Sequence, residues 1–184
     1  GSTGKPKGVM VEHKSVVNYL QYASDHYLVD GIVGSVVSSA LSFDATVTSL
    51  YSGLVTGGRV ELVDTTSTGD LSALKDRLLR LEGRHLFKLT PAHLDLLAQE
   101  ECAGQQEHLL VVGGDQWTVT TAEKFLSSAL PTAVFVNEYG PTEATVGCSI
   151  YSLSVASGLR ALENRTSVPI GRPISNTQLY VLSE

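Results

Sequence analysis

The sequence predicts an α/β protein in which helices flank a mostly parallel β-sheet. Short apolar runs rich in β-branched residues alternate with segments whose apolar residues recur at helical spacing. This pattern is typical of strand–helix–strand units. Polar or glycine-rich segments also follow several of the predicted strands. Because open α/β sheets bind ligands at the carboxyl ends of their strands, we expect a binding site along that edge.

The first part of the chain predicts two helices, each followed by a strand. Helical spacing over 13–22 precedes a buried strand over 34–40 that is rich in valine and serine. A second helix over 47–54 ends at Gly57–Gly58, since glycine readily ends a helix, and a strand over 59–63 follows. We therefore expect both strands to lie in one sheet.

The middle of the chain predicts two more helices separated by a strand. Leucine recurs at helical spacing over 71–81, Asp70 is suited to cap the first turn, and Gly83 follows the last turn. A strand over 86–89 leads into a helix over 90–97, where a proline stands in the first turn. We expect the leucine-rich helix to pack against the sheet rather than carry chemistry.

The last part of the chain predicts two strands around a helix, and then one more strand. A buried strand over 109–112 runs into a glycine-rich segment, and a helix over 121–130 leads to a strand over 133–136. Residues 137–143 are predicted to form a polar loop at the end of that strand. A Pro/Gly turn further along then precedes a predicted strand over 178–182.

Composition and charge limit the classes of function. Of the 184 residues, 42% are hydrophobic, which is enough for a globular core. The formal net charge of −6 leaves no broad basic surface, so nucleic acid is not an expected partner. Cys102 and Cys148 have no metal-ligand spacing, and no apolar run is long enough to cross a membrane. We expect a cytoplasmic protein that binds no membrane.

Two polar segments, residues 1–8 and 137–143, carry the chemistry that a nucleotide requires. The first offers glycine amides, two hydroxyls and two lysines, groups that can wrap a polyphosphate. The second combines a ring, a hydroxyl and a carboxylate, which can stack on a base, contact a phosphate and hold Mg²⁺. Each segment alone is also compatible with a solvated turn. Pro6 stands where a P-loop has Ser or Thr, which argues against a P-loop NTPase.

Five segments occur in a distinctive order, at residues 2–8, 43–45, 113–115, 137–143 and 169–173. Together they resemble the core of an adenylation domain of a nonribosomal peptide synthetase, over the whole chain. Among adenylate-forming enzymes, the Phe-Asp-Ala at 43–45 favours an amino acid over a fatty or aryl acid. The resemblance implies that an amino-acid carboxylate attacks the α-phosphate of Mg-ATP, giving aminoacyl-AMP and pyrophosphate. It also implies transfer to the phosphopantetheine thiol of a peptidyl carrier protein, beside neighbouring synthetase domains.

The resemblance assigns the residues of a nucleotide site. Tyr139 would stack on adenine, and Asn137 would contact the edge of the base. Thr142 would contact the α-phosphate and Glu143 would hold Mg²⁺, so these two are the predicted catalytic residues. The predicted cofactor-binding residues are Ser2, Thr3, Gly4, Lys5, Lys7, Gly114, Asp115, Asn137, Tyr139, Gly140 and Thr142.

The resemblance also assigns a substrate pocket, which is similar to that of asparagine-activating domains. Lys88 can donate to the side-chain amide oxygen of asparagine, and Glu138 can accept from its nitrogen. Aspartate, glutamine and β-substituted asparagine remain alternative substrates. Lys88 and Glu138 are alternatively a plain ion pair, or Lys88 lies at the surface. The predicted pocket residues are Asp44, Ala45, Thr48, Lys88, Val111, Gly113, Glu138, Val146 and Gly147.

Two further interpretations concern single residues. Asp44 is expected to pair with the substrate ammonium group or, alternatively, to cap the helix that follows it. Histidines and aromatic residues outside the motifs are given no function and are expected to pack or to lie at the surface. They are His13, which follows the first motif and packs near the nucleotide or is structural, and His26, His85, His93, His108, Tyr19, Tyr22, Trp117 and Phe125.

Residues 1–184 are expected to form part of an adenylation-domain core. By the resemblance, the chain is expected to begin inside the first motif and to end before the C-terminal subdomain that carries the family's catalytic lysine. Because that lysine stabilises charge at the reacting groups, this segment alone is expected to lack efficient turnover. A non-catalytic segment that recognises an amino acid or ATP, and an acyl-CoA synthetase-like ligase, are the alternative functions.

Overall fold

The computed structural model describes residues 7–28, 31–63, 71–99, 106–128, 132–154 and 160–183, which include a seven-stranded β-sheet. Along the chain its strands are β1 (Ile32–Val37), β2 (Arg59–Leu62), β3 (Arg84–Leu89), β4 (Leu109–Gly113), β5 (Val134–Tyr139), β6 (Ser149–Ser154) and β7 (Arg172–Pro173). The helices are α1 (His13–Tyr27), α2 (Ala45–Val55), α3 (Ser72–Arg80), α4 (Pro91–Gln99) and α5 (Val119–Ser128), with a 3₁₀ turn at Thr142–Ala144. Within the described ranges, no helix is long and apolar enough to cross a membrane.

The sheet is parallel from its β2 edge to β5 and antiparallel beyond. The strand order is β2-β1-β3-β4-β5-β6-β7. Strands β1 to β5 pair with their neighbours in parallel, whereas β6 runs antiparallel to β5 and β7 runs antiparallel to β6. The predicted α/β class with a mostly parallel sheet is confirmed.

The sheet has an apolar cluster on each face. One cluster holds Phe87, Leu110 and Phe135 from adjacent strands, and helices α3, α4 and α5 pack against it. The other cluster contains Leu86 and Val136, which adjoin Phe87 and Phe135 in the sequence. It lies under tyrosines of helix α1. Because successive side chains of a strand point to opposite faces, both faces of the central strands are buried.

Strand β5 extends further than the sequence predicted. Residues Asn137, Glu138 and Tyr139 were expected in a loop, but they form the last three residues of β5. They are paired along their whole length with β6, from Asn137 opposite Tyr151 to Tyr139 opposite Ser149. The loop prediction was wrong for these residues because their strand is completed by a partner that the sequence analysis did not identify.

The C-terminal strand prediction was also wrong. Residues 178–182 are exposed and irregular, even though their composition favours a strand. The described chain instead forms β6 and the two-residue strand β7 at the sheet edge. Strand β6 was not predicted because three of its six residues are serine, which weakens its apolar signal.

Several other boundaries shift while the element type holds. Helix α1 continues to Tyr27, and β1 ends at Val37 rather than at residue 40. Helix α5 begins at Val119, where the Thr118 hydroxyl accepts a hydrogen bond from the Thr121 backbone amide at 3.2 Å and so caps the first turn. The predicted cap Asp70 lies outside the described residues.

Candidate functional site

The carboxyl ends of three adjacent strands bring together a buried pair of charges. Lys88 lies near the end of β3, opposite Val111 of β4, and Gly113 of β4 lies opposite Glu138 of β5. The Lys88 ammonium and the Glu138 carboxylate form an ion pair, with side chains only 6% and 1% exposed. The ion pair that was the alternative to a substrate contact is therefore present, and Lys88 does not lie at the surface. Binding of a substrate amide by these two residues stays a prediction.

Helix α1 supplies two further partners of the Glu138 carboxylate. The Tyr27 hydroxyl donates to Oε2 at 2.6 Å, and the Tyr19 hydroxyl lies 3.1 and 3.2 Å from the two carboxylate oxygens. The Tyr19 hydroxyl also shares a hydrogen bond with the Thr48 hydroxyl of α2. We call Lys88, Glu138, Tyr19, Tyr27 and Thr48 the Glu138 cluster.

The phenols of this cluster are held in their protonated form. Burial, and then the negative charge of Glu138, raise the pKa of Tyr27 well above its usual value of 10. The same two causes raise the pKa of Tyr19, to which the charge of Asp44 also contributes weakly. Both hydroxyls are therefore hydrogen-bond donors over the physiological pH range.

No function was predicted from the sequence for Tyr19 or for Tyr27. The available signal was a periodic one, because Tyr19, Ala23 and Tyr27 recur every four residues and are all buried on one face of α1. Such a stripe is normally interpreted as core packing. Only the tertiary contact with Glu138 separates these tyrosines from ordinary core residues.

Two predicted pocket glycines leave room for the charged pair. A Cβ at Gly147 would lie 2.4 Å from the Glu138 carboxyl carbon. A Cβ at Gly113 would lie 2.5 Å from the Glu138 carbonyl oxygen and 3.2 Å from the Lys88 ammonium nitrogen. Both distances to Glu138 are shorter than a non-bonded carbon contact permits. The absence of a side chain at these positions is thus required by the Glu138 cluster.

The remaining predicted pocket residues surround the cluster. Asp44 occupies the N-cap position of α2, but its side chain makes no capping hydrogen bond, and Ala45 is the first residue of that helix. Val111 is fully buried in the apolar cluster beneath α1, and the partly buried Val146 packs against the same cluster. The structure therefore groups Thr48, Lys88, Val111, Gly113, Glu138, Val146 and Gly147, with Asp44 close enough to influence Tyr19.

The turn between β5 and β6 is strained at its end. Thr145 and Val146 have φ values of 65° and 66°, a left-handed conformation that is unfavourable for β-branched residues. The turn is tight, because a Cβ at Gly140 would lie 2.4 Å from the Val146 carbonyl oxygen, and the Cys148 amide bonds to the Tyr139 carbonyl at 2.8 Å. Strain of this kind is concentrated at binding and catalytic sites in proteins.

A cavity of about 370 Å³ lies beside the Glu138 cluster. Five of the predicted cofactor-binding residues line it, namely Gly114, Asp115, Asn137, Tyr139 and Gly140. The other lining residues are Gln116, Trp117, Glu138, Pro141, Ser167, Val168 and Ile170. The cavity thus gathers residues from the ends of β4 and β5 and from the segment before β7.

Asn137 fixes one wall of this cavity. Its amide nitrogen donates to the carbonyl oxygens of Pro169 at 2.8 Å and Val168 at 3.3 Å. The side chain is 5% exposed, so these bonds satisfy a buried donor. This structural role was not predicted from the sequence, and it leaves the amide oxygen as the acceptor that Asn137 can offer to a ligand.

The predicted catalytic residues lie at the other side of the same turn. Thr142 and Glu143 are exposed in the 3₁₀ turn. Glu143 lines a second cavity of about 580 Å³, together with Tyr19, Gly147 and polar residues of α1. Lys7 is exposed, and Ser2, Thr3, Gly4 and Lys5 lie outside the described residues.

Histidines lie in local contacts away from both cavities. The His108 ring accepts a hydrogen bond from the His85 backbone amide at 3.1 Å, and the rings of these buried residues make an edge contact. His93 Nδ1 accepts from the Thr90 amide at 3.1 Å beside the start of α4, and the His26 ring stacks on Tyr22. Within the described ranges, no group of three or more His, Cys, Asp or Glu side chains is placed to hold a metal ion.

The AMP-binding enzyme family matches this chain over residues 1–184. The chain belongs to the AMP-binding enzyme family. This AMP-binding protein is 36% identical to bacitracin synthase 3 of Bacillus licheniformis over 100% of the chain, and 36% identical to the nonribosomal peptide synthetase TES of Alternaria alternata over 99% of it. The chain spans about 3% of the length of each of these relatives.

A solved structure has the same fold. The Vibrio cholerae adenylation domain AlmE, determined with glycyl-adenosine-5'-phosphate, superposes with a TM-score of 0.73 over 94% of this AMP-binding protein and 31% of AlmE, at 23% identity. The family resemblance predicted from the five segments is confirmed. The individual roles of the pocket, nucleotide and metal residues of this AMP-binding protein remain predictions.

Proposed function

We propose that this chain forms part of an amino-acid adenylating enzyme of nonribosomal peptide synthesis. The reaction would join an amino-acid carboxylate to the α-phosphate of ATP and release pyrophosphate. The proposal is supported by the family, by the relatives named as synthases and synthetases, and by AlmE, an adenylation domain with an aminoacyl adenylate. The observation that carries it is the position of Glu138, which lines the smaller cavity and also anchors the buried polar cluster.

The smaller cavity suits the adenosine part of the nucleotide. Tyr139 is 46% exposed and presents a ring on which adenine can stack. The Asn137 amide oxygen can accept from the adenine amino group, because the amide nitrogen is already bonded to the protein. Gly114 has a φ of 87° and no side chain, which allows backbone to approach the ligand closely.

The exposed 3₁₀ turn suits the phosphates. The Thr142 hydroxyl can donate to the α-phosphate, and the Glu143 carboxylate can hold Mg²⁺. Mg²⁺ commonly binds through one or two carboxylates together with substrate phosphates, so a single carboxylate is a sufficient protein contribution. Lys7 and the preceding Ser2, Thr3, Gly4 and Lys5 are proposed to contact the departing pyrophosphate.

The Glu138 cluster suits an amide side chain, and we propose asparagine as the substrate. Lys88 would donate to the side-chain oxygen of asparagine, and Glu138 would accept from its nitrogen. Gly113 and Gly147 accommodate the Lys88–Glu138 pair itself, because a Cβ at either position would overlap Glu138, and Asp44 would receive the substrate ammonium group. Aspartate would place a second negative charge next to Glu138, which disfavours it. The aminoacyl group would then pass to a carrier-protein thiol in a neighbouring domain.

The test is ATP/pyrophosphate exchange with each common amino acid, in a complete adenylation domain into which this chain is grafted. We expect the strongest exchange with asparagine, and we expect chelation of Mg²⁺ to abolish it. Exchange with another amino acid would contradict the asparagine assignment but keep the enzyme class. A folded enzyme without exchange would contradict adenylation and favour a non-catalytic recognition segment.

A companion variant separates amino-acid activation from acyl-CoA synthetase-like chemistry. Asp44→Ala removes the proposed partner of the substrate ammonium group, so we expect amino-acid-dependent exchange to fall by about 100-fold or more, since an uncompensated buried charge is costly. The matched control is Asp25→Ala, which removes an exposed carboxylate of helix α1 that lines neither cavity and should leave exchange unchanged. Unchanged amino-acid preference in Asp44→Ala would contradict the role of Asp44.

A further inference from the structure

Two tyrosines of helix α1 reach the same carboxylate from a segment that contributes none of the predicted pocket residues. Tyr27 donates to Glu138 at 2.6 Å, and Tyr19 lies 3.1 and 3.2 Å from its two oxygens. Both rings are 1% exposed. A phenylalanine would keep each ring in place and remove only the hydroxyl, which at Tyr19 also bonds Thr48.

The three donors leave the Glu138 carboxylate little freedom. Lys88 and Tyr19 approach Oε1, while Tyr27 and Tyr19 approach Oε2. The backbone of Gly147 closes the remaining side, since even a Cβ there would overlap the carboxyl group. A carboxylate bonded at both oxygens is fixed in rotation as well as position.

The charge balance of the cluster depends on the same donors. Lys88 compensates the charge of Glu138, and the two hydroxyls spread that charge over both oxygens. If the hydroxyls were absent, the carboxylate could turn fully towards the ammonium group and occupy more of its donors. Lys88 would then have fewer hydrogen bonds to offer a ligand.

We propose that Tyr19 and Tyr27 are positioning residues that fix the Glu138 carboxylate and thereby set the selectivity of the pocket for an amide over a carboxylate side chain. This inference rests on the proposed function. A fixed Glu138 presents a negative oxygen to an amide nitrogen and opposes the negative oxygen of an aspartate. A loosened Glu138 can turn away from aspartate, so the opposition weakens.

Helix α1 contains its own control residue. Tyr22 lies in the same apolar cluster and is also buried, but it stacks on His26 and makes an edge contact with Tyr27. No hydrogen bond joins its hydroxyl to Glu138 among the described residues. A Tyr22→Phe variant therefore changes the same chemical group on the same helix without removing a donor to the carboxylate.

The first measurement compares selectivity in Tyr27→Phe, Tyr19→Phe and Tyr22→Phe, in the complete adenylation domain that carries this chain. For Tyr27→Phe we expect KM for asparagine to rise about tenfold, as for loss of a hydrogen bond to a charged group, with kcat within about twofold. We also expect the preference for asparagine over aspartate to fall by a similar factor. Tyr22→Phe should leave KM, kcat and the preference unchanged. Equal preference in Tyr27→Phe and Tyr22→Phe would overturn the proposal.

The second measurement needs no substrate and separates this proposal from the proposed function. The carboxylate stretching band of Glu138 is identified in the infrared spectrum by its loss in Glu138→Gln. We expect the band to shift in Tyr27→Phe and Tyr19→Phe and to stay in place in Tyr22→Phe. A band that is the same in all three variants overturns the positioning role, whereas absence of exchange with every amino acid in the unmodified enzyme overturns the proposed function.

Discussion

Glu138 is a buried carboxylate whose partners come from two separate parts of the chain, strand β3 and helix α1. Lys88 lies 50 residues earlier in β3, and Tyr27 lies 111 residues earlier in α1. An unpaired charge in this position would be strongly unfavourable, so the cluster is stable only when its members are present together. At the scale of single residues, this interdependence is the main feature of the site.

The charged pair gives a stability prediction. Lys88→Met keeps an unbranched side chain of similar length but leaves Glu138 buried without a cation, so we expect the free energy of unfolding to fall by about 3–5 kcal/mol. The control is Lys14→Met, which removes an exposed lysine paired with Glu12 at 2.7 Å and should cost less than about 1 kcal/mol. Urea unfolding of the two variants and the parent chain measures both losses of unfolding free energy. Similar losses for Lys88 and Lys14 would contradict the energetic role of the buried pair.

At the scale of elements, the antiparallel edge of the sheet shapes the cavity of about 370 Å³ that is proposed to bind the nucleotide. Strand β6 returns along β5, and β7 approaches β6 so closely that a Cβ at Gly171 would lie 1.7 Å from the Ile150 carbonyl oxygen. The Ser149 hydroxyl also donates to the Ile170 carbonyl at 2.5 Å. Residues 168–170 accept hydrogen bonds from Asn137 of β5 and Ser149 of β6, so this segment is anchored to both strands of the β5–β6 hairpin.

Gly171 gives a prediction for this edge. Gly171→Ala combines a left-handed backbone of φ 81° with a steric overlap, so we expect β7 to detach from β6. Gly57→Ala is the matched control, because its φ is 71° but nothing lies within 4 Å of the added Cβ. The control should lose about 1–2 kcal/mol of unfolding free energy, and Gly171→Ala clearly more. Hydrogen exchange of the β6 amides should accelerate only in Gly171→Ala, and equal protection in both variants would contradict the prediction.

The contact between His85 of β3 and His108, which precedes β4, makes the stability of the fold depend on pH. Burial, and then the neighbouring His85 and Arg84 charges, lower the pKa of His108 to about 4. His108 in the unfolded chain binds a proton below about pH 6.5, whereas in the folded chain it does so only near pH 4. The proton would also compete with the hydrogen bond from the His85 amide. This contribution to stability is therefore present above about pH 6.5 and is lost as pH falls towards 4.

The matching measurement is the free energy of unfolding as a function of pH. We expect His108 to contribute a decrease of up to about 1.4 kcal/mol per pH unit between pH 6.5 and 4. His108→Asn retains a short acceptor for the His85 amide but does not titrate in this range. Its stability should fall less steeply than that of the parent chain, and parallel curves would show that His108 is not responsible.

At the scale of the whole molecule, the β2 edge of the sheet is less well covered than the central strands. The central strands are buried on both faces, whereas the edge strand β2 leaves Leu62 71% exposed. Nearby, Val33 of β1 and Leu54 and Val55 of α2 are each more than half exposed. An edge strand with exposed apolar side chains favours pairing with another chain.

The β2 edge gives a prediction for this chain expressed on its own. Leu62→Lys places a charge on the open edge, so we expect self-association to decrease while the melting temperature stays within a few degrees, as for a surface substitution. The control is Leu96→Lys, an exposed leucine on helix α4 with no open strand edge beside it. Sedimentation velocity measures the association of each variant. Equal association of the Leu62 and Leu96 variants would contradict a role for the β2 edge.

The sequence by itself determined the fold class, the family and the identity of most candidate site residues. Alternating β-branched runs and helical spacing predicted the parallel strands, because those patterns reflect local burial. Short motifs such as residues 43–45 and 113–115 carried the family resemblance. They follow strands β1 and β4 or end them, as expected for ligand sites of an open sheet.

Only the tertiary structure decided which of these residues meet, and it added partners that no local pattern marks. Tyr19 and Tyr27 look like core residues in the sequence, and their hydroxyls acquire a role only because α1 packs over the end of β5. Strand β6 and the extension of β5 form through pairing between them, so neither is visible from its own residues. Burial of a charge is likewise a property of the whole fold, since its cost and compensation depend on groups far apart in the chain.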